Sequence, residues 1–496
     1  MESSAAKLIA LDIGAESGRV MVGHLQDERL TLEELRRFPT GAVRVGRSLY
    51  TDVLRIWSEI QTGLAQAAAL YGDQIASVGV DTWGVDCALL DSGGNLLGNP
   101  HHYRDPRTDG ILDRAFARMP REEIYRRTGN QFVAFNTLFQ LLATAEQEPE
   151  LLSAAQTLLM LPDLFHYWLS GERVCERVIA TTSQCYNQLE QEWAWDLLER
   201  LGLPGRIFLP VTQPGTCLGP LRPDLADTLG AGQNLQVVLP ASHDTGSAVT
   251  AIPVSEPDFL YISSGTWSLV GVELEQPVIT PASLACNLTN EGSPEGRTRF
   301  LKIAPGMWLL QQCRQTWEQQ GRDFSYAALT ELASLAPAGG PLVDVASDEF
   351  VLPGEMPERI RRYCEETGQP APQTEGEIAR SVLESLAVQY RLLLEDFESV
   401  LGRRLQVIHI IGGGARNQLL NQMTADCTRR RVIAGPYEAT ALGNILVQAI
   451  GLGKFRSVHE IREVVRRSFQ PQSYDPTASD YWDERCQRYR QLASSR

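Results

Sequence analysis

Two segments about 250 residues apart share one plan, and that repetition constrains the fold more than any other feature of the 496-residue chain. Leu8 to Gly23 is an apolar run, a turn of small residues (Gly14-Ala15-Glu16-Ser17) and a second apolar run. Phe259 to Gly271 repeats the plan around Ser264-Gly265-Thr266. Each reads as a β-hairpin whose tip is built from Gly, Ser and Thr. Such a pair predicts two domains of similar plan, and the length is right for more than one domain. Around the hairpins, apolar spacing predicts helices over Asp52 to Leu70 and Glu375 to Leu401. Strand-like runs at Ile75–Val80, Cys87–Leu90, Gln236–Leu239 and Val407–Ile411 lie between helical stretches. Strands alternating with helices make this an α/β chain. The expected linker is Ile252 to Pro257, and the predicted division is 1–250 and 251–496, with an exposed loop at Pro337 to Pro341.

Composition narrows the function. With 43% hydrophobic and 21% charged residues the chain is of ordinary globular type, so disorder and coiled coil are excluded as the main architecture. Its net charge of −16 repels nucleic acid and anionic lipid. A small anionic ligand can still sit in a local nest of backbone N–H groups. No apolar run approaches the roughly 18 residues of a membrane span, and Met1 to Lys7 reads as no secretory leader. Nine scattered cysteines with no Cys-x-x-Cys pair read as reduced thiols rather than a metal or disulfide framework. The expectation is a cytoplasmic protein, a monomer or weak homodimer, with neither nucleic acid nor membrane as partner.

Several segments carry chemistry. Asp12-Ile13-Gly14-Ala15-Glu16-Ser17-Gly18-Arg19 sets an acid at a strand end before a small-residue turn. Such a turn brings backbone N–H groups close to phosphate oxygens, and the acid can hold Mg²⁺ through water. It is neither a P-loop nor a G-x-G-x-x-G, and a plain tight turn is equally compatible with it. Ser263 to Ser268 offers the Thr266 hydroxyl with adjacent backbone donors, though a polar hairpin turn would look the same. Gly412-Gly413-Gly414-Ala415-Arg416-Asn417 joins a strand to a helix, and three glycines are entropically costly for a mere connection. Ser242-His243-Asp244-Thr245 presents a carboxylate ahead of a helix, either a base or an N-cap. Asp81-Thr82-Trp83-Gly84-Val85-Asp86 combines two acids and an indole, a set suited to a polyol, although a strand-end Asp beside a core Trp would also produce it. Tyr103-Arg104-Asp105-Pro106-Arg107 reads as a sugar contact or a surface cluster.

In this order and spacing the segments resemble the actin-like ATPase superfamily, and within it the FGGY carbohydrate kinases, from about Leu8 to Gln470. Asn290-Glu291-Gly292 and Gly306-Met307-Trp308-Leu309-Leu310-Gln311 resemble the branch that acts on L-rhamnulose. The resemblance implies two ribonuclease H-like domains flanking a cleft that takes a sugar and Mg-ATP. It implies phosphorylation of a ketose, L-rhamnulose giving L-rhamnulose 1-phosphate. The alternatives are L-fuculose or xylulose as substrate, or a catalytically silent binding protein of the same fold. By the same resemblance Asp244 matches the general base, and Asp12 the acid facing Mg²⁺ through water. Ala15, Glu16, Ser17, Gly18 and Arg19 match the first phosphate loop. Thr266, Gln311 and Gly413 match nucleotide contacts, and Gly84, His243, Asp244 and Thr245 the sugar site. One position departs: that branch usually has Lys-Asn where this chain has Lys302-Ile303. Ile303 cannot make the hydrogen bonds of an Asn, which leaves the sugar less defined than the ATP chemistry.

Overall fold

The computed structural model describes residues 6–232, 234–254, 256–478 and 480–494. Met1 to Ala5 of the leader reading and Ser255 of the expected linker lie outside them. Contacts divide the chain into two compact units. Unit 1 holds Met1–Pro253, Glu273–Leu301 and Ala439–Phe469; unit 2 holds Val254–Val272, Lys302–Glu438 and Gln470–Arg496.

In unit 1 the first hairpin is β1 (Ala6–Ile13) and β2 (Ser17–Gln26), paired antiparallel with Asp12 opposite Arg19. β3 (Arg29–Pro39) extends it. Helix α1 (Val53–Tyr71) buries Val53, Ile56, Ile60 and Leu64, the stripe expected from spacing. Asp52 caps it, accepting the Arg55 N–H at 3.1 Å. α1 lies close on the sheet, because a Cβ at Gly63 would meet Val20 Cγ2 at 2.4 Å. β4 (Ile75–Thr82) pairs parallel with β1, setting Asp81 beside Asp12. The strand therefore runs two residues past the expected Val80 and carries Asp81 inside it. β5 (Cys217–Pro220) and β6 (Gln236–Val238) complete the sheet in the order β5-β6-β4-β1-β2-β3. Helix α2 (Asp244–Thr250) follows β6.

Unit 2 is built on the second hairpin, β7 (Phe259–Ser264) and β8 (Trp267–Leu274), paired antiparallel. β9 (Thr289–Gly292), β10 (Thr298–Pro305), β11 (Val407–Ile411), β12 (Arg431–Ala434) and β13 (Gln472–Tyr474) give this sheet the order β9-β10-β8-β7-β11-β12-β13, of which β9, the last two residues of β8 and the first half of β10 belong to unit 1. Helix α3 (Trp308–Gln319) follows β10. The long helix α4 spans Glu375–Leu401 as its spacing predicts, and a Thr374/Glu377 capping box starts it. α5 (Gln418–Thr428) follows the glycine turn, with Asn417 as its cap. With β5 and β9 set aside, both sheets place a third, second, first, fourth and fifth strand side by side: β3-β2-β1-β4-β6 and β10-β8-β7-β11-β12. The duplicated plan read from the sequence is thus a duplicated strand order. Unit 1 also includes α6 (Ala439–Gly451) and α7 (Val458–Ser468), far along the chain from its sheet.

Candidate active site

In unit 1 the ends of three neighbouring parallel strands, β1, β4 and β6, gather the acids. Ligands of open α/β sheets sit beyond the C-terminal ends of their strands. Asp12, one residue from the end of β1, is 4% exposed and pairs with Arg19. Asp81 beside it is fully buried; Oδ2 accepts the Asn444 amide at 2.5 Å, while Oδ1 has no partner. Burial, reinforced by the charge of Asp12 and of Asp244, pushes the Asp81 carboxyl well above its usual range. After β6 the chain crosses beside β4: Ser242 O accepts the Thr82 N–H at 3.0 Å and His243 bridges Thr82. This sets Asp244 at the first turn of α2. Its Oδ1 accepts Thr245 N–H at 2.5 Å and Thr245 Oγ1 at 3.2 Å. Its side chain keeps 28% of its surface open, yet its surroundings are dry enough to raise its pKa, with Asp12 adding to the rise and His243 opposing it.

Gly84 stands at the turn after β4, covered by Thr182, whose Oγ1 accepts the Val85 N–H at 3.2 Å. Val85 has φ +69°, costly for a β-branched residue by about 1–3 kcal/mol. Its carbonyl is held by Thr137 Oγ1 at 2.6 Å and Gln140 Nε2 at 3.2 Å, so the strained turn is over-determined. His243 thus lies beside Thr82, two residues before Gly84. The indole and second acid of that motif serve each other. Trp83 Nε1 donates to Asp86 at 3.0 Å, and Asp86, also held by Thr51 and Gln140, is pushed by burial up to about 6. The Tyr103 to Arg107 segment is not a surface cluster. Asp105 is 4% exposed and accepts the Leu49 N–H at 2.5 Å, while Arg107 donates to Thr144 and Gln140.

The first tip is a tight turn in which Gly14 N–H donates to Ser17 O at 3.1 Å and Thr40 Oγ1 to Gly14 O at 2.5 Å. Ala15 and Glu16 form its outer edge. Gly18 is required by packing, since a Cβ there would meet the Phe38 ring at 2.4 Å.

In unit 2 the second tip, Gly265 and Thr266, is clasped by the turn after β10. Gly306 N–H donates to Thr266 O at 3.1 Å and Met307 N–H to Gly265 O at 2.9 Å. Gln311, in the first turn of α3, donates its N–H to Met307 O at 2.9 Å. Across the tip lie the three glycines. A Cβ at Gly414 would sit 2.0 Å from Ser264 Oγ, and one at Gly412, whose φ is +82°, would sit 3.0 Å from Ser264 O. A Cβ at Gly413 would meet nothing within 4 Å. Two glycines are thus packing requirements, and the third leaves open space. Thr266 and Gln311 are thus tied to the same turn after β10, and Gly413 lies between the two glycines that pack on Ser264.

These features fit the nucleotide and metal that the sequence suggests. The open face at Gly413 suits a flat or bulky group laid on the backbone. Asp81 Oδ1, without a partner among the described residues, lies beside Asp12, and a cation there would relieve the like-charge repulsion that raises the Asp81 pKa. Among the described residues no group of three or more His, Cys, Asp or Glu is arranged to ligate a metal directly. Asn444 and Gln448, which brace the acids from α6, were not singled out from the sequence. A polar pair four residues apart in an otherwise apolar helix was the available signal.

The family models agree with this architecture. The N-terminal domain of the FGGY family of carbohydrate kinases matches residues 7–251, and its C-terminal domain matches residues 260–452. The chain belongs to the FGGY family of carbohydrate kinases, and is a phosphotransferase that phosphorylates a sugar with ATP. It is 42% identical to a rhamnulokinase of Bacteroides thetaiotaomicron over 96% of both chains. It is 41% identical to one of Oceanobacillus iheyensis, over 94% of this chain and 97% of the relative. In fold it matches a xylulose kinase of Lactobacillus acidophilus with a TM-score of 0.80 at 17% identity, over 99% and 98% of the two chains. A gluconate kinase of the same organism gives a TM-score of 0.81 at 18% identity, with the same coverage. No helix among the described residues is long and apolar enough to cross a membrane.

Proposed function

We propose that this kinase converts L-rhamnulose to L-rhamnulose 1-phosphate in the cytoplasm, as a monomer or weak homodimer, with Asp244 as general base. The observation that carries the chemistry is the asymmetry of the Asp244 carboxylate. Oδ1 holds the Thr245 bonds, whereas Oδ2 has no hydrogen bond among the described residues. An attacking hydroxyl needs a positioned acceptor for its proton, and a carboxylate whose pKa is raised accepts it better. The choice of sugar is supported by the rhamnulokinases that resemble the chain over nearly its full length. The half from 1 to 250 then carries the sugar site at Gly84 and His243–Thr245 and the first phosphate loop at Ala15–Arg19. The half from 251 to 496 carries nucleotide contacts at Thr266, Gln311 and Gly413. Asp12 would hold Mg²⁺ through water, with Asp81 facing it. When bound, Mg²⁺ supplies neutralisation of the phosphate oxygens, and the rest of the catalysis is positioning and charge stabilisation.

A second reading, another ketose such as L-fuculose or xylulose, is favoured by Ile303, which stands where an Asn is expected. ADP release measured over a panel of ketoses separates the two, with L-rhamnulose expected to give the highest kcat/KM. In the same assay Asp244→Asn should lower kcat by about 10²–10⁴, the contribution of a positioned base, and leave both binding constants nearly unchanged. Near-normal turnover in that variant, with turnover abolished by His243→Ala, would move the base to His243.

A further inference from the structure

Behind Asp244 lies a buried chain of ionic and polar groups that the reaction as described does not use. Arg299, on β10, is fully buried, and Glu291, on β9, is 2% exposed. Arg299 Nε donates to Gly292 O at 2.9 Å, and its Nη2 donates to Glu291 Oε2 at 3.0 Å and to His243 Nδ1 at 3.1 Å. Room for this guanidinium depends on α2, where a Cβ at Gly246 would meet Val178 Cγ1 at 2.5 Å and Arg299 Nη2 at 3.5 Å. Burial alone would raise the Glu291 carboxyl, but the Arg299 guanidinium bonded to it holds it below its usual range. The pair is therefore ionised.

A guanidinium only donates, so a bond from Arg299 to Nδ1 requires a lone pair there and puts the imidazole proton on Nε2. Nε2 stands 3.4 Å from Asp244 Oδ1. The opposite tautomer would offer Nδ1–H to Glu291 at 3.2 Å. It would also set a proton against the Arg299 donor and turn a lone pair of Nε2 on a carboxylate oxygen. We infer that Arg299, anchored by Glu291, is a positioning residue that holds His243 as its Nε2–H tautomer against Asp244 Oδ1, so that Oδ2 is the atom that takes the sugar proton. This inference rests on the reading of Asp244 as the base. Two hydrogen bonds hold Oδ1 (from Thr245 N–H and Thr245 Oγ1) and His243 Nε2 stands 3.4 Å from the same atom, so the carboxylate cannot rotate without giving up both bonds and this contact. A buried ion pair contributes little stability over apolar residues of the same shape, so orientation is the gain that this arrangement offers.

The test reads the tautomer without turnover. The chain has seven histidines; with ¹⁵N-labelled imidazoles, the His243 signals are assigned by their loss in His243→Gln. The wild type should show Nε2 protonated and Nδ1 bare at neutral pH. A protonated Nδ1 there, alone or with Nε2, would overturn the inference. The double variant Glu291→Gln/Arg299→Met leaves no unpaired buried charge. It should mix the two tautomers and lower kcat about tenfold with the KM for ATP unchanged, whereas Arg299→Lys, which retains a donor, should recover part of kcat. A double variant with an unmixed Nε2–H tautomer and wild-type kcat would likewise refute it. Should the double variant fail to fold, the wild-type spectrum still decides. If the spectrum is as expected but Asp244→Asn turns over normally, the base assignment fails and the positioning of His243 stands.

Discussion

A buried histidine packed on β4 makes the stability of this unit depend on acid. His166 accepts the Val80 N–H on Nε2 at 3.0 Å, one residue before Asp81. Burial pulls its pKa from the ordinary 6.5 down to about 3. A depressed histidine binds its proton more readily in the unfolded chain, so the stability it contributes is complete above 6.5 and is lost as the pH falls from there toward 3. Between about pH 7.5 and about pH 5 the loss should be about 2 kcal/mol. His166→Gln has no such titration. In thermal denaturation the wild type should lose about that much of its advantage over the variant across this range. A gap independent of pH would show that His166 does not carry the effect. At the same scale, Asp12 and Asp244 could be picked out by residue type, since each ends or follows a strand and leads into a small-residue turn. Asp81 could not be placed. Its surroundings are set by its register opposite Asp12 and by Asn444, 363 residues along the chain.

Helix α2, which carries Asp244, is held in place by α6. A Cβ at Gly443 would sit 1.8 Å from Ser247 O and 2.5 Å from Ser247 C, both backbone atoms of α2. Gly443→Ala must therefore push α2 aside. We expect a loss of about 1–3 kcal/mol in stability, the usual cost of overpacking. The loss in kcat should be disproportionate, up to about 10²-fold, because a displacement near 1 Å is enough to spoil a reacting geometry. Paired measurements of Tm and kcat check this, and a variant with unchanged kcat would mean that α2 does not need α6 to aim its carboxylate. The elements themselves were largely legible. The two hairpins, α1, α4 and the strand-to-helix glycine turn lie where period and turn residues put them, because each is decided by neighbours a few residues away. What joins them was not legible. That Gly412 and Gly414 are held to glycine by Ser264 has no local sign, and Val85 gives none of its positive φ. Arg299 sits in an alternating strand like any other, and only the fold brings His243 to it.

For the whole molecule, the path of the chain decides what can fold separately. Unit 1 contains residues up to Pro253, but also Glu273–Leu301 and Ala439–Phe469. The last segment completes the interior of its sheet. From α6, Gln448 Nε2 donates to Ile9 O at 2.9 Å and its Oε1 accepts Ser77 Oγ at 2.6 Å, while Asn444 satisfies Asp81. A fragment of residues 1–250 would keep β1 and β4 but leave Ser77, Ile9 O and Asp81 without these partners, and would expose the apolar residues that α6 covers. Each unsatisfied buried group costs about 1–3 kcal/mol, and a domain's total stability is only about 5–15 kcal/mol. The fragment should therefore show no cooperative thermal transition, although its sequence matches a complete N-terminal family domain at residues 7–251. Co-expression with residues 439–469 should restore protection of the β1 and β4 amides to hydrogen exchange. A fragment of 1–250 that melts cooperatively near the full-length temperature would show that the sheet is self-sufficient and that α6 only aims the acids.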